Sequence, residues 1–161
     1  MTTTDVFHDP DATPADPAGE PRISYVVARL ERAIRRSINE RVSLYDLTVL
    51  QYTTLSVLGR RGELSNAQLA RRAYMSPQAM SEVIEALESK GLIKRSQHPS
   101  HRRVYPATLT AKGRKVLAAC DRLVDELEAE MLGGLTAGEQ NGFRESLIHA
   151  VRMLHAGLPA Q

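Results

Sequence analysis

Ser76, Pro77, Gln78, Ser81 and Glu82 stand at the start of a helical pattern and have the chemistry to read base edges in a DNA major groove. A Gln amide can pair bidentately with adenine, a Ser hydroxyl bonds to either kind of edge, and a Glu could accept from the cytosine amino group. Beyond them, His98, His101, Arg102 and Arg103 crowd the tip of a basic hairpin, Gln97-His98-Pro99-Ser100-His101-Arg102-Arg103. Guanidinium groups there suit the narrow, negative minor groove. Ser65, Asn66, Gln68, Arg71, Arg72, Lys94, Arg95 and Lys112 add hydroxyls, amides and cations for phosphate contacts, which give affinity with little sequence information. The chemistry expected is noncovalent recognition of duplex DNA. No nucleophile elbow, glycine-rich phosphate loop or His-Glu-x-x-His pair is present in the sequence, so neither an enzyme nor a cofactor is expected. His98 and His101 have a His-x-x-His spacing, but no Cys or acid lies nearby to complete a metal site.

These side chains must be positioned by a helix-turn-helix and a wing. Ser65 with Gln68 forms a capping-box pattern for a helix running to about Arg72, and Ala73-Tyr74-Met75 turns the chain. Ser76 caps a second helix with Pro77 at its first position, where a missing N–H costs nothing. Met80, Val83, Ile84 and Leu87 form its apolar face, and Lys90-Gly91 stops it. Strand patterns follow at Leu92–Arg95 and Val104–Thr108.

Charge is concentrated where this reading needs it. The first twenty residues hold five acids and no Lys or Arg, leaving 21 basic against 14 acidic side chains elsewhere. From Arg60 to Lys115 there are twelve Lys or Arg and four Glu, a net +8 that would attract phosphate and release counterions on binding. A protein-binding winged domain with the acidic tail as a regulatory arm is the competing reading, and binding that survives high salt would favour it. The single cysteine excludes an intramolecular disulfide and fits a reducing compartment. The N-terminus has no signal-peptide pattern, and no window approaches a membrane span. A cytoplasmic protein with no membrane partner is expected.

Flanking helices complete the pattern. Ile23, Val26, Val27, Leu30, Ile34 and Ile38 mark a first helix, and a second should run from Thr48 to near Gly59. Thr110 caps a long helix from about Ala111 to Leu132, and Thr136 with Glu139 caps a last one to about His155. On the long helix Gly113, Leu117, Cys120, Val124, Leu127 and Met131 repeat at alternating spacings of four and three, a coiled-coil-like seam. Such a seam either completes a monomer core or joins two copies, and a two-fold dimer would match a palindromic site.

From Arg41 to His155 the chain resembles the MarR family of bacterial transcription regulators. The resemblance rests on Leu47-Thr48 with Gln51-Tyr52, Leu69-Ala70 before Met75-Ser76-Pro77, Leu87-Glu88-Ser89-Lys90-Gly91-Leu92-Ile93, Pro99, Arg102-Arg103, and Leu109-Thr110 with Gly113. It implies a mainly α fold with a small β-wing: a winged helix-turn-helix flanked by N- and C-terminal dimerisation helices. The expected organisation is a disordered acidic tail over 1–21 and a family domain over 22–161. Within that domain, 45–110 forms the DNA-reading lobe, and 22–42 and 111–156 form the dimerisation helices. The implied function is a homodimeric repressor of a pseudo-palindromic double-stranded operator, released by a small-molecule effector or by oxidation. Tyr25, Tyr45 and Tyr52 are candidates to line an effector cleft, although tyrosines are more often core residues.

Two departures from the family pattern stand out. Glu82 occupies a position where the resemblance leads one to expect Arg, and an acid facing DNA must find a cytosine or a neighbouring cation. His98 and His101 stand where an acid commonly braces the wing arginine. Their protonation near pH 6.5 would add charge beside phosphate, so affinity is expected to rise from pH 8 to 6. Cys120, on the apolar seam, reads as a small hydrophobe rather than a thiol switch.

Overall fold

The computed structural model describes residues 19–73, 75–97 and 105–155. After α1 (Ile23–Ser43), every helix start is fixed by a capping side chain. At Thr48 the hydroxyl accepts from Gln51 N while Thr48 N donates to the Gln51 side chain, opening α2 (Val49–Arg61). Ser65 and Gln68 do the same for α3 (Asn66–Arg72). Ser76 accepts from Ala79 N and Pro77 takes the first position of α4 (Pro77–Ser89). Thr110 caps α5 (Ala111–Met131), and Thr136 with Glu139 caps α6 (Ala137–Met153). Each box satisfies backbone N–H groups that the first turn leaves without partners. α2 continues two residues past the stop expected at Gly59, and Gly62, at φ 77°, ends it.

The wing is shifted along the chain relative to its sequence pattern. β1 (Ile93–Arg95) and β2 (Ala107–Leu109) pair antiparallel, with Ile93 opposite Leu109 and Arg95 opposite Ala107. A second strand over Val104–Thr108 is the expectation, of which Val104 lies outside the described residues. The ladder instead lies beyond Pro106, which has no N–H to donate. Ala107 also exchanges two backbone hydrogen bonds with Leu64, at 2.8 and 3.2 Å, tying the α2–α3 connection to the wing.

By compactness the chain divides into two units, Met1–Ser37 and Ile38–Gln161. The second has its core among the last turn of α1, α2, α3, α4, β1, β2 and the first half of α5. Leu55, Leu58, Leu69, Met80, Leu87, Ile93, Val42 and Cys120 are fully buried there. Two glycines permit the closest approaches. A Cβ on Gly113 would lie 1.9 Å from the Leu92 carbonyl oxygen, and one on Gly59 would lie 2.6 Å from Leu117 Cδ2. Gly113, Leu117 and Cys120 of the heptad seam are therefore covered by the chain's own core, while Val124, Leu127 and Met131 stay half-buried. α6 buries no residue fully, and Leu135, Met153 and Leu154 are exposed at its ends. No helix among the described residues is long and apolar enough to cross a membrane.

Candidate nucleic-acid interface

α4 is the element that a DNA groove could accept. Its buried stripe, Met80, Ile84 and Leu87, faces the core, so the opposite side must face out. Ser76, Pro77, Gln78 and Glu82 are exposed on that outer side near the N-terminus of the helix. They are the four expected readers whose side chains are open to a ligand.

Ser81 has a different environment. Its hydroxyl accepts a hydrogen bond from Asn66 Nδ2 at 2.8 Å and donates to the Pro77 carbonyl at 3.0 Å. Asn66 Nδ2 also donates to that carbonyl, at 2.9 Å, and Asn66 Oδ1 is buried with no hydrogen-bond partner. Asn66, expected among the phosphate contacts, thus has its amide committed to holding α3 against α4. Ser65 and Gln68 are committed too, each capping the other at the start of α3.

The cations divide in the same way. Arg71 is exposed, and Arg72 is exposed with one donation to the Gln68 carbonyl at 3.3 Å. Lys94 is exposed on the wing strand. Lys112 donates to the Lys90 carbonyl at 2.8 Å, where it also caps the C-terminal end of α4. Arg95 is held by Glu88 through Nε at 2.9 Å and Nη2 at 2.5 Å. That hydrogen bond lowers the Glu88 carboxyl below its ordinary range and raises the Arg95 guanidinium. Lys90 binds the Asp46 backbone carbonyl and also its carboxylate, the latter at 3.1 Å. Glu88 and Lys90 were legible in the sequence as part of a helix-end motif, but their bracing roles, and that of Asp46, were not, because the partners lie on other elements. His98, His101, Arg102 and Arg103 lie outside the described residues, as do Tyr74 and residues 1–18.

The three candidate tyrosines have different surroundings, each described within its own unit. Tyr25 belongs to the first unit and Tyr45 is exposed. Tyr52 donates to Asp121 Oδ1 at 2.9 Å, joining α2 to α5, and burial followed by that carboxylate pushes the phenol well above its usual value. A groove of about 520 Å³ does exist in the second unit, lined by Gly59, Arg60, Thr108, Arg114, Leu117 and Asp121. Neither Tyr45 nor Tyr52 lines it. Burial, with the Asp121 charge second, pushes the Cys120 thiol up to about 11.

Comparison with known proteins places this geometry among relatives. The model of the MarR family matches residues 47–105. An HTH-type transcriptional repressor of Mycobacterium tuberculosis is 34% identical over 130 residues, covering 81% of this chain and 94% of the relative. The transcriptional regulator HosA of Escherichia coli is 31% identical over 102 residues, 63% of this chain and 76% of its own. Among solved structures, a MarR family transcription regulator superposes with a TM-score of 0.76 at 21% identity, over 83% of this chain and 88% of that one. A mutant MarR from Escherichia coli complexed with operator DNA gives 0.71 at 23% identity, over 80% and 92%. At these identities the two structures establish the likeness of fold.

Proposed function

This chain belongs to the MarR family, and we propose that it is a sequence-specific repressor of transcription that binds double-stranded DNA. One observation carries the reading. α4 is anchored by three buried residues and capped by Ser76, and it presents Gln78 and Glu82 outward from its first turns. Exposed Arg71, Arg72 and Lys94 flank it and supply phosphate contacts. Arg102 and Arg103, with His98 and His101, carry the minor-groove contact. The named role of the Mycobacterium tuberculosis relative supports repression, and the operator complex of the structural neighbour supports the mode of binding.

The protein acts as a homodimer in the cytoplasm on a pseudo-palindrome whose half-sites lie about 10 bp apart. The half-buried end of the α5 seam and the absence of a fully buried residue in α6 support a second copy as their cover. A small-molecule effector releases it. The groove beside Arg60 and Arg114 supports such a ligand better than the tyrosines do.

Fluorescence anisotropy against the gene's upstream intergenic duplex and a scrambled duplex, between about 50 and 300 mM salt, tests the reading. The expected result is a dissociation constant of about 10⁻⁸ M or below for the intergenic duplex alone, weakening steeply with salt. Equal, weak binding to both duplexes would overturn it.

A further inference from the structure

α4 has no cation of its own. Over Pro77–Ser89 it holds Glu82, Glu85 and Glu88 and no Lys or Arg. Tertiary contacts sort these three acids. Arg95 donates to the Glu88 carboxylate through Nε at 2.9 Å and Nη2 at 2.5 Å. Hydrogen bonding to Glu88 raises the Arg95 guanidinium first, and the Glu85 charge adds to it, so one cation answers both acids. Glu82 is exposed one turn after Gln78 and makes no hydrogen bond or ion pair among the described residues. Beside it the Ser81 hydroxyl is turned to Asn66 and to the Pro77 carbonyl. Within the first two turns, Gln78 and Glu82 are therefore left as the outward polar groups.

We propose that Glu82 determines operator choice by exclusion: it requires a cytosine, so that α4 reads its G·C pairs from the cytosine strand. The inference rests on the DNA-binding reading above. An ionised carboxylate accepts hydrogen bonds and donates none. In the major groove guanine presents N7 and O6 and thymine presents O4, all acceptors. Against either base Glu82 would set oxygen against oxygen and hold an unpaired charge stripped of water. Adenine offers an amino group but sets the acceptor N7 beside it, whereas cytosine offers its amino group with no acceptor on the same base. The usual guanine reader, a cation bidentate to O6 and N7, is absent from α4. Exposed Arg71, Arg72 and Lys94 lie on α3 and β1, so attraction to phosphate comes from around α4 and choice of base from α4 itself. A lone carboxylate among phosphates loses more on a wrong base than it gains on the right one, which is specificity by repulsion. Gln78 and Glu82 are separated by about 6 Å of helix rise, close to two base steps, so they meet different pairs.

The test selects binding sites from a randomised duplex library with the full unaltered chain and with Glu82→Ala, Glu82→Gln and Glu82→Arg. Affinities for the selected site and its single-base variants are then measured by anisotropy. Each half-site chosen by the unaltered chain should carry one cytosine whose replacement by any other base weakens binding by about 5- to 150-fold. Glu82→Ala should level the four bases at that position. Glu82→Gln should turn the same position to adenine and Glu82→Arg should turn it to guanine. All other positions should stay unchanged in the three variants, which reports a helix still folded and docked. N4-methylcytosine at that one position puts a methyl group where the groove-facing N–H stood. It should weaken the unaltered chain as a wrong base does and leave Glu82→Ala unaffected. A consensus shared by the unaltered, Glu82→Ala and Glu82→Arg chains would overturn the proposal and leave the DNA-binding reading intact. No enrichment by any of the four chains would overturn that reading and the proposal with it.

Discussion

Asn66 donates its side-chain amide to the Ser81 hydroxyl at 2.8 Å, joining the first turn of α3 to α4 across fifteen residues of sequence. This contact sets the angle between the two helices of the reading unit from inside, at a position where the sequence suggested two independent DNA ligands. The remaining oxygen of Asn66 is buried without a partner, so the brace carries a desolvation penalty of its own. Removing Ser81→Ala should lower stability by about 1 kcal/mol. Asn66→Ala should cost no more, because it also removes the orphaned oxygen. Urea unfolding of both single variants and the double variant should show non-additivity of about 0.5 kcal/mol or more. Additive effects would mean that the two side chains act separately.

Gly113 is required by contact rather than by backbone conformation. With the Leu92 carbonyl oxygen 1.9 Å from where its Cβ would stand, Gly113→Ala must push α5 away from the backbone that leads into β1. A loss of about 2–3 kcal/mol is expected, in line with overpacking in a well-filled site. Gly142→Ala on α6 is the control, because nothing lies within 4 Å of its Cβ. It should be neutral or stabilising by up to about 1 kcal/mol through helix propensity. Thermal unfolding of the two variants checks both.

Glu88 and Arg95 couple the recognition helix to the wing and set a pH dependence. The hydrogen bond from Arg95 holds the Glu88 carboxyl low, so its contribution is present above the unfolded carboxyl pKa of about 4.3 and is lost as pH falls through the folded value. Both side chains are more than a third exposed, so screening limits the effect to at most about 1 kcal/mol. Glu88→Gln should flatten the acid limb of a stability–pH profile below about pH 5. It should also free Arg95 for phosphate and tighten DNA binding. Weaker binding in this variant would show that the brace matters more than the charge.

Cys120 should be silent to thiol reagents in the folded protein. Its pKa of about 11, raised first by burial and then by Asp121, leaves little thiolate at pH 8. Burial of the neutral thiol is favourable below the unfolded pKa of about 8.5, and this contribution is lost as pH rises through the folded value. A thiol–disulfide indicator should react at least about 100-fold faster in denaturant than in buffer at pH 8. Fast reaction in buffer would reopen a redox role for Cys120.

What could be read from the sequence was what is decided within a turn of the chain. Ser65 with Gln68, Ser76 with Pro77, Thr110 and Thr136 with Glu139 cap their helices through contacts spanning three residues, so their residue types announced them. The order of elements, and hence the fold, followed from those signals and from apolar periodicity. The periodicity of α5 showed an apolar seam but not its cover. Close packing against Leu92 and the Gly59–Leu117 contact divided that seam between the chain's own core and an uncovered half. Likewise, the exposed readers Gln78 and Glu82 were legible as types on a helix face. That Asn66, Arg95 and Tyr52 serve as braces to Ser81, Glu88 and Asp121 was decided only by tertiary structure. The physical reason is that a side-chain hydrogen bond between elements depends on where the packed core places two backbones, and no local spacing encodes that placement.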